Sequence, residues 1–140
     1  MTQLLYITPR IPAPDQRGDQ IRAFYHLKEL SRIAKIVLVC LSSEKQSHQD
    51  ITRLETMGIS VHCYFFPKWK RVLVLRHALF SRIPFQVAYF YSRPIQKTIE
   101  KTLKNVPFDI IHCHLIRTVL YAEKLKAPIR SLDYMDAYGF

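Results

Sequence analysis

Apolar residues fall along the chain in short runs separated by helical spacing, a rhythm that alternates strand and helix. Residues 3–8 (QLLYIT) form an apolar run stopped by Pro9, which predicts a first strand. Residues 9–17 hold Pro9, Pro12 and Pro14 and read as a stiff loop. Gly18 and Asp19 then open a helix that Asp19 can cap, with Ile21, Phe24, Leu27 and Leu30 at helical spacing. Residues 34–41 (AKIVLVCL) are almost wholly apolar and β-branched, as in a strand buried on both faces. A weaker helix is expected over 44–57, ended by Gly58, and a third strand over 59–65.

A basic, apolar stretch at 67–84 interrupts the rhythm and is expected to be helical. Ser92 as cap with Pro94 in the first turn starts a further helix, buried along Ile95, Ile99 and Leu103. Residues 108–113 (FDIIHC) predict a fourth strand, 118–125 a helix and 129–134 a fifth strand. This order implies an α/β fold with an open parallel sheet of about five strands and flanking helices, Rossmann-like in outline. A length of 140 residues suits one domain and one core. The chain stops just after the fifth strand, where a covering helix is expected, so it reads as truncated.

Composition narrows the class. At 49% hydrophobic the chain is not disordered, and no apolar run approaches the ~18 residues of a membrane span. The N-terminus lacks a cationic n-region and a small-residue cleavage site, so a cytoplasmic location is expected. Cys40, Cys63 and Cys113 are odd in number and widely spaced, which suits reduced thiols. The formal net charge is +10, and no acid lies between Glu55 and Glu100. Such a field attracts polyanions. Nucleic acid is not the expected partner, since no recognised module is present and aromatics are not interleaved with basic residues in an RNP pattern.

In an open parallel sheet, ligands bind beyond the carboxyl ends of the strands. Arg10 and Arg117 fall in loops there and could pair with phosphate, while Gly18 stands at a helix N-terminus suited to an anion. Each could equally be an ordinary solvated arginine or turn glycine. Only three glycines occur, so no G-x-G-x-x-G dinucleotide fingerprint exists. Asp19, Asp133 and Asp136 are carboxylates that could accept hydrogen bonds from ligand hydroxyls. His112 and His114 share one face of their strand and Cys113 the other. A metal there needs a third ligand that the sequence does not reveal, so none is expected, and no bound cofactor either. His112 reads best as a core histidine, and His114 as an even choice between packing and substrate contact.

The segments TPRIPAPDQRGDQIRAFYHLKELS, FDIIHCHLIRT and SLDYMDAYG together resemble the N-terminal domain of family 4 glycosyltransferases of the GT-B fold, of the bacterial exopolysaccharide and cell-surface sugar transferase type. The resemblance runs over residues 4–140 and is weakest over 44–82. It implies the acceptor-side half of a retaining enzyme that moves a sugar from a nucleotide-sugar co-substrate to a lipid-linked acceptor. The donor-binding C-terminal domain of that family is absent from this chain, which alone is then expected to transfer nothing. Substrate-binding positions carried over or argued from the rim are Arg10, Gly18, Asp19, His114, Arg117 and Asp136, and no catalytic residue is assigned. The chain departs from the family where a Gly-Gly pair is replaced by Arg17-Gly18-Asp19, and where Met135 stands in place of a histidine before Asp136.

The insert places Trp69, Val72, Leu73, Leu79 and Phe80 along one helical flank amid cations. Basic, Trp-bearing helices lie in membrane interfaces. The resemblance, to enzymes that act on lipid-linked acceptors, implies that Lys68, Trp69, Lys70, Arg71 and Arg76 touch an anionic membrane, with the protein peripheral on the inner face. An ordinary helix packed on the sheet is the competing expectation for this stretch. The alternative to an enzyme is a non-catalytic α/β module that docks an anionic membrane or a partner subunit.

Overall fold

The computed structural model describes residues 1–43 and 48–133. Five parallel strands form one sheet: β1 (Thr2–Thr8), β2 (Ala34–Ser42), β3 (Ser60–Phe65), β4 (Ile110–His114) and β5 (Ile129–Asp133). Their spatial order is β3-β2-β1-β4-β5, so the strand order reverses between β1 and β4. That reversal is the switch point of a doubly wound sheet, as expected for a Rossmann-like α/β fold.

The alternation of side chains along β1 divides the core in two. Leu5 and Ile7 face a layer holding Val39, Leu41, Ile99, Leu103, Ile111 and Cys113. Leu4 and Tyr6 face the other layer, with Ile36, Leu38, Cys40, Ala23, Phe24 and Leu27. Helix α1 (Gly18–Leu30) covers this second face through its Ala23, Phe24 and Leu27. Helix α2 (His48–Glu55) adds only Leu54 to it. The expected start of α2 at 44–47 lies outside the described residues. None of the three cysteines is in a disulfide, and Cys40 and Cys63 are register partners on adjacent strands.

Three local expectations need correction. Asp19 does not cap α1: the cap position is Arg17, whose N–H bonds the Gln20 side-chain oxygen at 3.3 Å, and Asp19 sits inside the first turn. The basic stretch is helical as expected over α3 (Lys68–Ala78) but the helix stops short of Arg82, and a short α4 (Phe85–Phe90), not foreseen, follows Pro84. A proline fixes φ near −65° and offers no N–H, so it begins α4 rather than continuing α3. Third, the helix expected at 118–125 is a 3-10 helix, Ile116–Ala122. Thr118 Oγ1 donates to the Leu115 carbonyl at 3.0 Å, a local bond of the kind that competes with regular helix. Helix α5 (Arg93–Leu103) matches expectation, with the Ser92 hydroxyl accepting from Ile95 N–H and Ile99 fully buried.

Candidate functional site

The carboxyl ends of β1 and β2 open into a pocket of about 630 Å³. Among the described residues, Arg10, Arg17, Lys68 and Arg71 line it, with Asp50 as the acid. Tyr89 and Phe90 of α4 close one side. The proline loop is held over this pocket by Gln20, whose amide donates to the Ile11 carbonyl at 2.8 Å. Thr8 Oγ1 donates to the Arg10 carbonyl at 2.7 Å and fixes the second residue beyond the strand.

Arg71 overturns its expected place on a membrane-facing surface. It is 4% exposed, and its Nε donates to the Phe66 carbonyl at 3.0 Å. The guanidinium lies 4.8 Å from the Phe90 ring centroid, 5.1 Å from Phe66 and 5.5 Å from Tyr89. A guanidinium is planar and weakly hydrated, so it stacks on aromatic faces where an ammonium would stay in water. Burial lowers its pKa from the ordinary value, with Tyr89 and Tyr121 opposing and Arg10 reinforcing that shift. An arginine remains charged through such shifts.

Phe90 collects two further cations. Arg10 lies 5.6 Å and Arg117 4.9 Å from its centroid. Arg10 also pairs with Asp19 at 2.8 Å, so Asp19 serves to aim a rim arginine. Gly18, at the start of α1, is exposed, and an added Cβ there would meet nothing within 4 Å.

His114 ends β4 on the same rim, just across the switch point. It is almost fully buried, and its Nε2 lies 3.2 Å from the Asp19 carbonyl. Its Nδ1 faces Tyr6 Oη at 3.4 Å and Asp133 Oδ2 at 3.7 Å. Burial lowers the His114 pKa and outweighs the carboxylate of Asp133, so the ring is neutral near pH 7 and its contact with Asp133 is not a salt bridge. Asp133 pairs instead with Arg22 at 3.3 Å.

His112, two residues earlier on the same face, stacks beside Tyr6 with centroids 4.7 Å apart and bonds Ser131 Oγ through Nδ1 at 2.6 Å. Its pKa falls to about 4, first from burial and then from His26 and His114. Cys113 points into the opposite core layer, as strand alternation requires. His112, His114 and Asp133 place ligand-capable atoms within 4.8 Å of one another. The third member was hidden from the sequence because only the β4–β5 register, His114 opposite Asp133, brings it there.

Leu115 follows His114 at φ 73° and ψ 148°, a region that non-glycine residues avoid. Its side chain is buried, and this strained turn carries the chain from β4 into the 3-10 helix bearing Arg117. Holding such a conformation costs about 1–3 kcal/mol, and such strain clusters at functional sites.

The rim thus unites Arg10, Gly18, Asp19, His114 and Arg117. Asp136 and Met135 lie outside the described residues. Sequence reasoning missed Arg17, Lys68, Arg71, Tyr89 and Phe90 as pocket residues. The acid-free stretch of 56–99 was the signal that could have found Lys68 and Arg71.

Helix α3 and the turn after it carry a different surface. Phe80 is 95% and Trp69 63% exposed, and Val72, Leu73, Leu79, Ile83 and Phe85 are exposed with them. Lys68, Lys70, Arg76 and Arg82 are exposed alongside. Among the described residues, no helix is long and apolar enough to cross a membrane. Comparison with known proteins finds no family model that matches this chain and no curated protein that matches it.

Proposed function

We propose that this chain is the acceptor-side half of a retaining, nucleotide-sugar-dependent glycosyltransferase of surface polysaccharide synthesis. The observation that carries this reading is the cation-walled pocket beyond the carboxyl ends of β1 and β2. Among the described lining residues, four are basic and one is acidic, which favours an anionic acceptor such as a lipid-linked sugar phosphate. Arg17 and Lys68 hold the phosphate, Tyr89 offers a face to a sugar ring, and the Asp19–Arg10 pair fixes the rim. Arg117 borders the same acceptor from across the switch point, His114 supports the rim from beneath through the Asp19 carbonyl, and Asp136 belongs to this set by resemblance. A second domain supplies the nucleotide-sugar, and the acceptor hydroxyl attacks the anomeric carbon as the diphosphate departs toward cations and backbone donors.

The exposed apolar and basic residues of α3 support a peripheral position on an anionic leaflet, where a lipid-linked acceptor resides. A non-catalytic module that docks such a membrane is the second reading, favoured by the same surface.

Titration of the chain with a polyprenyl-diphosphate sugar in detergent, and separately with nucleotide-sugars, tests the proposal. The acceptor analogue should bind, Arg17→Gln with Lys68→Gln should weaken it about tenfold or more, and no sugar should transfer. Turnover by the chain alone overturns the half-enzyme reading. Vesicle binding without preference for the glycolipid favours the docking module.

A further inference from the structure

We propose that His112, His114 and Asp133 form a site for a divalent first-row transition-metal ion, with zinc the best match to their donors. The inference is independent of the sugar-transfer reading. One ring nitrogen of each histidine and one carboxylate oxygen of Asp133 all lie within 4.8 Å of one another. The histidines alternate on β4, and Asp133 is the register partner of His114 on β5, so two hydrogen-bonded strands fix all three backbones. Side-chain rotation alone then has to bring the donors to the roughly 2.0–2.2 Å that zinc requires.

The hydrogen bonds select the tautomers. A carbonyl only accepts, so His114 Nε2, 3.2 Å from the Asp19 carbonyl, carries the proton and Nδ1 holds the lone pair. That Nδ1 is the atom 3.7 Å from Asp133. On His112, Nδ1 bonds Ser131 Oγ at 2.6 Å, while Nε2 is buried with no hydrogen-bond partner. An imidazole anchored through one nitrogen and open at the other is the usual arrangement of a ligating histidine. The partnerless Nε2 is a second observation, beside the clustering of the three donors, that suits a ligating ring.

Two imidazoles and a carboxylate favour zinc, cobalt or nickel over calcium or magnesium. Three protein donors leave a fourth position for water or a bound molecule. Arg22 competes, since its guanidinium sits 3.3 Å from Asp133 Oδ2. Its side chain is 54% exposed and can turn to solvent when an ion takes the carboxylate. Tyr6 need not move, because its hydroxyl has a shorter partner in His26 Nδ1 at 2.9 Å.

Zinc alone is the probe, titrated calorimetrically into the whole chain in chelator-free buffer. One equivalent should bind at micromolar affinity or tighter. His112→Ala and Asp133→Asn should each weaken it about tenfold or more, and Ser131→Ala by about tenfold. Arg22→Gln should tighten it, and Cys63→Ser should leave it unchanged. Cobalt in place of zinc should show no thiolate charge-transfer absorption. Ser131 is exposed, so its variant keeps the test sound if a histidine variant fails to fold. Absence of micromolar zinc binding, or binding that survives His112→Ala and Asp133→Asn but is lost in Cys63→Ser, overturns the site.

Discussion

His114 donates through Nε2 to the backbone carbonyl of Asp19, tying the end of β4 to the first turn of α1 across 95 residues of sequence. The bond crosses the switch point between β1 and β4, and Asp19 passes the constraint on to Arg10 through their 2.8 Å ion pair. A buried histidine, a helix start and a rim arginine are therefore joined in one chain of contacts.

The two described glycines should respond oppositely to alanine. Gly58 has φ +81°, where a Cβ is strained, so Gly58→Ala should destabilise the fold by about 1–2 kcal/mol in urea titration. Gly18 has ordinary φ and open space around it, so Gly18→Ala should be neutral or stabilise by up to about 1 kcal/mol. Anion binding lost in that stable variant would mark Gly18 as a ligand contact rather than a structural turn.

Acid should weaken the metal-free fold between about pH 6.5 and 4. His112 titrates at about 4 when folded against 6.5 for an ordinary histidine, and burial lowers His26 and His114 in the same direction. Across that window the unfolded chain binds more protons, so stability is complete above 6.5 and is lost as pH falls toward 4. Thermal midpoints followed against pH should show the decline, and His112→Gln should flatten it. An unchanged slope in that variant would place the acid sensitivity elsewhere.

Arg71 should resist replacement even by lysine. An ammonium cannot stack on Phe66, Tyr89 and Phe90 while its donor reaches the Phe66 carbonyl. Arg71→Lys and Arg71→Met should each cost about 1–3 kcal/mol by denaturant unfolding, since the Phe66 carbonyl and the ring faces lose their partner.

The exposed apolar surface should separate binding from folding. Phe80→Ser removes a side chain that packs on almost nothing, so stability should change by no more than about 0.5 kcal/mol. Flotation with phosphatidylglycerol vesicles should nevertheless fall, by about tenfold or more when Trp69→Ser is added, given about 1.5–3 kcal/mol per large apolar side chain inserted. Undiminished flotation of the double variant would assign this surface to another partner.

Much of the fold was legible because parallel strands buried on both faces announce themselves, as β2 does with AKIVLVC, and because Ser92-Arg-Pro marks a helix start. The break between α3 and α4 was harder to place, since apolar residues continue through 79–85 while the structure leaves most of them exposed. Arg71 was misplaced for a related reason. A cation in a basic run reads as solvated, and the packing of α4 against α3 adds the Tyr89 and Phe90 faces to that of Phe66. Similarly, Arg10 and Asp19 were named separately, and nothing local says that they pair.

The amino-acid order alone determined the parallel α/β architecture, the strand-end rim and the sharing of one face by His112 and His114, because periodicity and turn residues act over a few neighbours. Tertiary structure decided which distant groups meet: Asp133 opposite His114 through strand register, Asp19 beneath it through helix placement, and three arginines around Phe90. Those encounters depend on how strands order themselves in a sheet, and contacts across tens of residues leave no spacing for a single sequence to display.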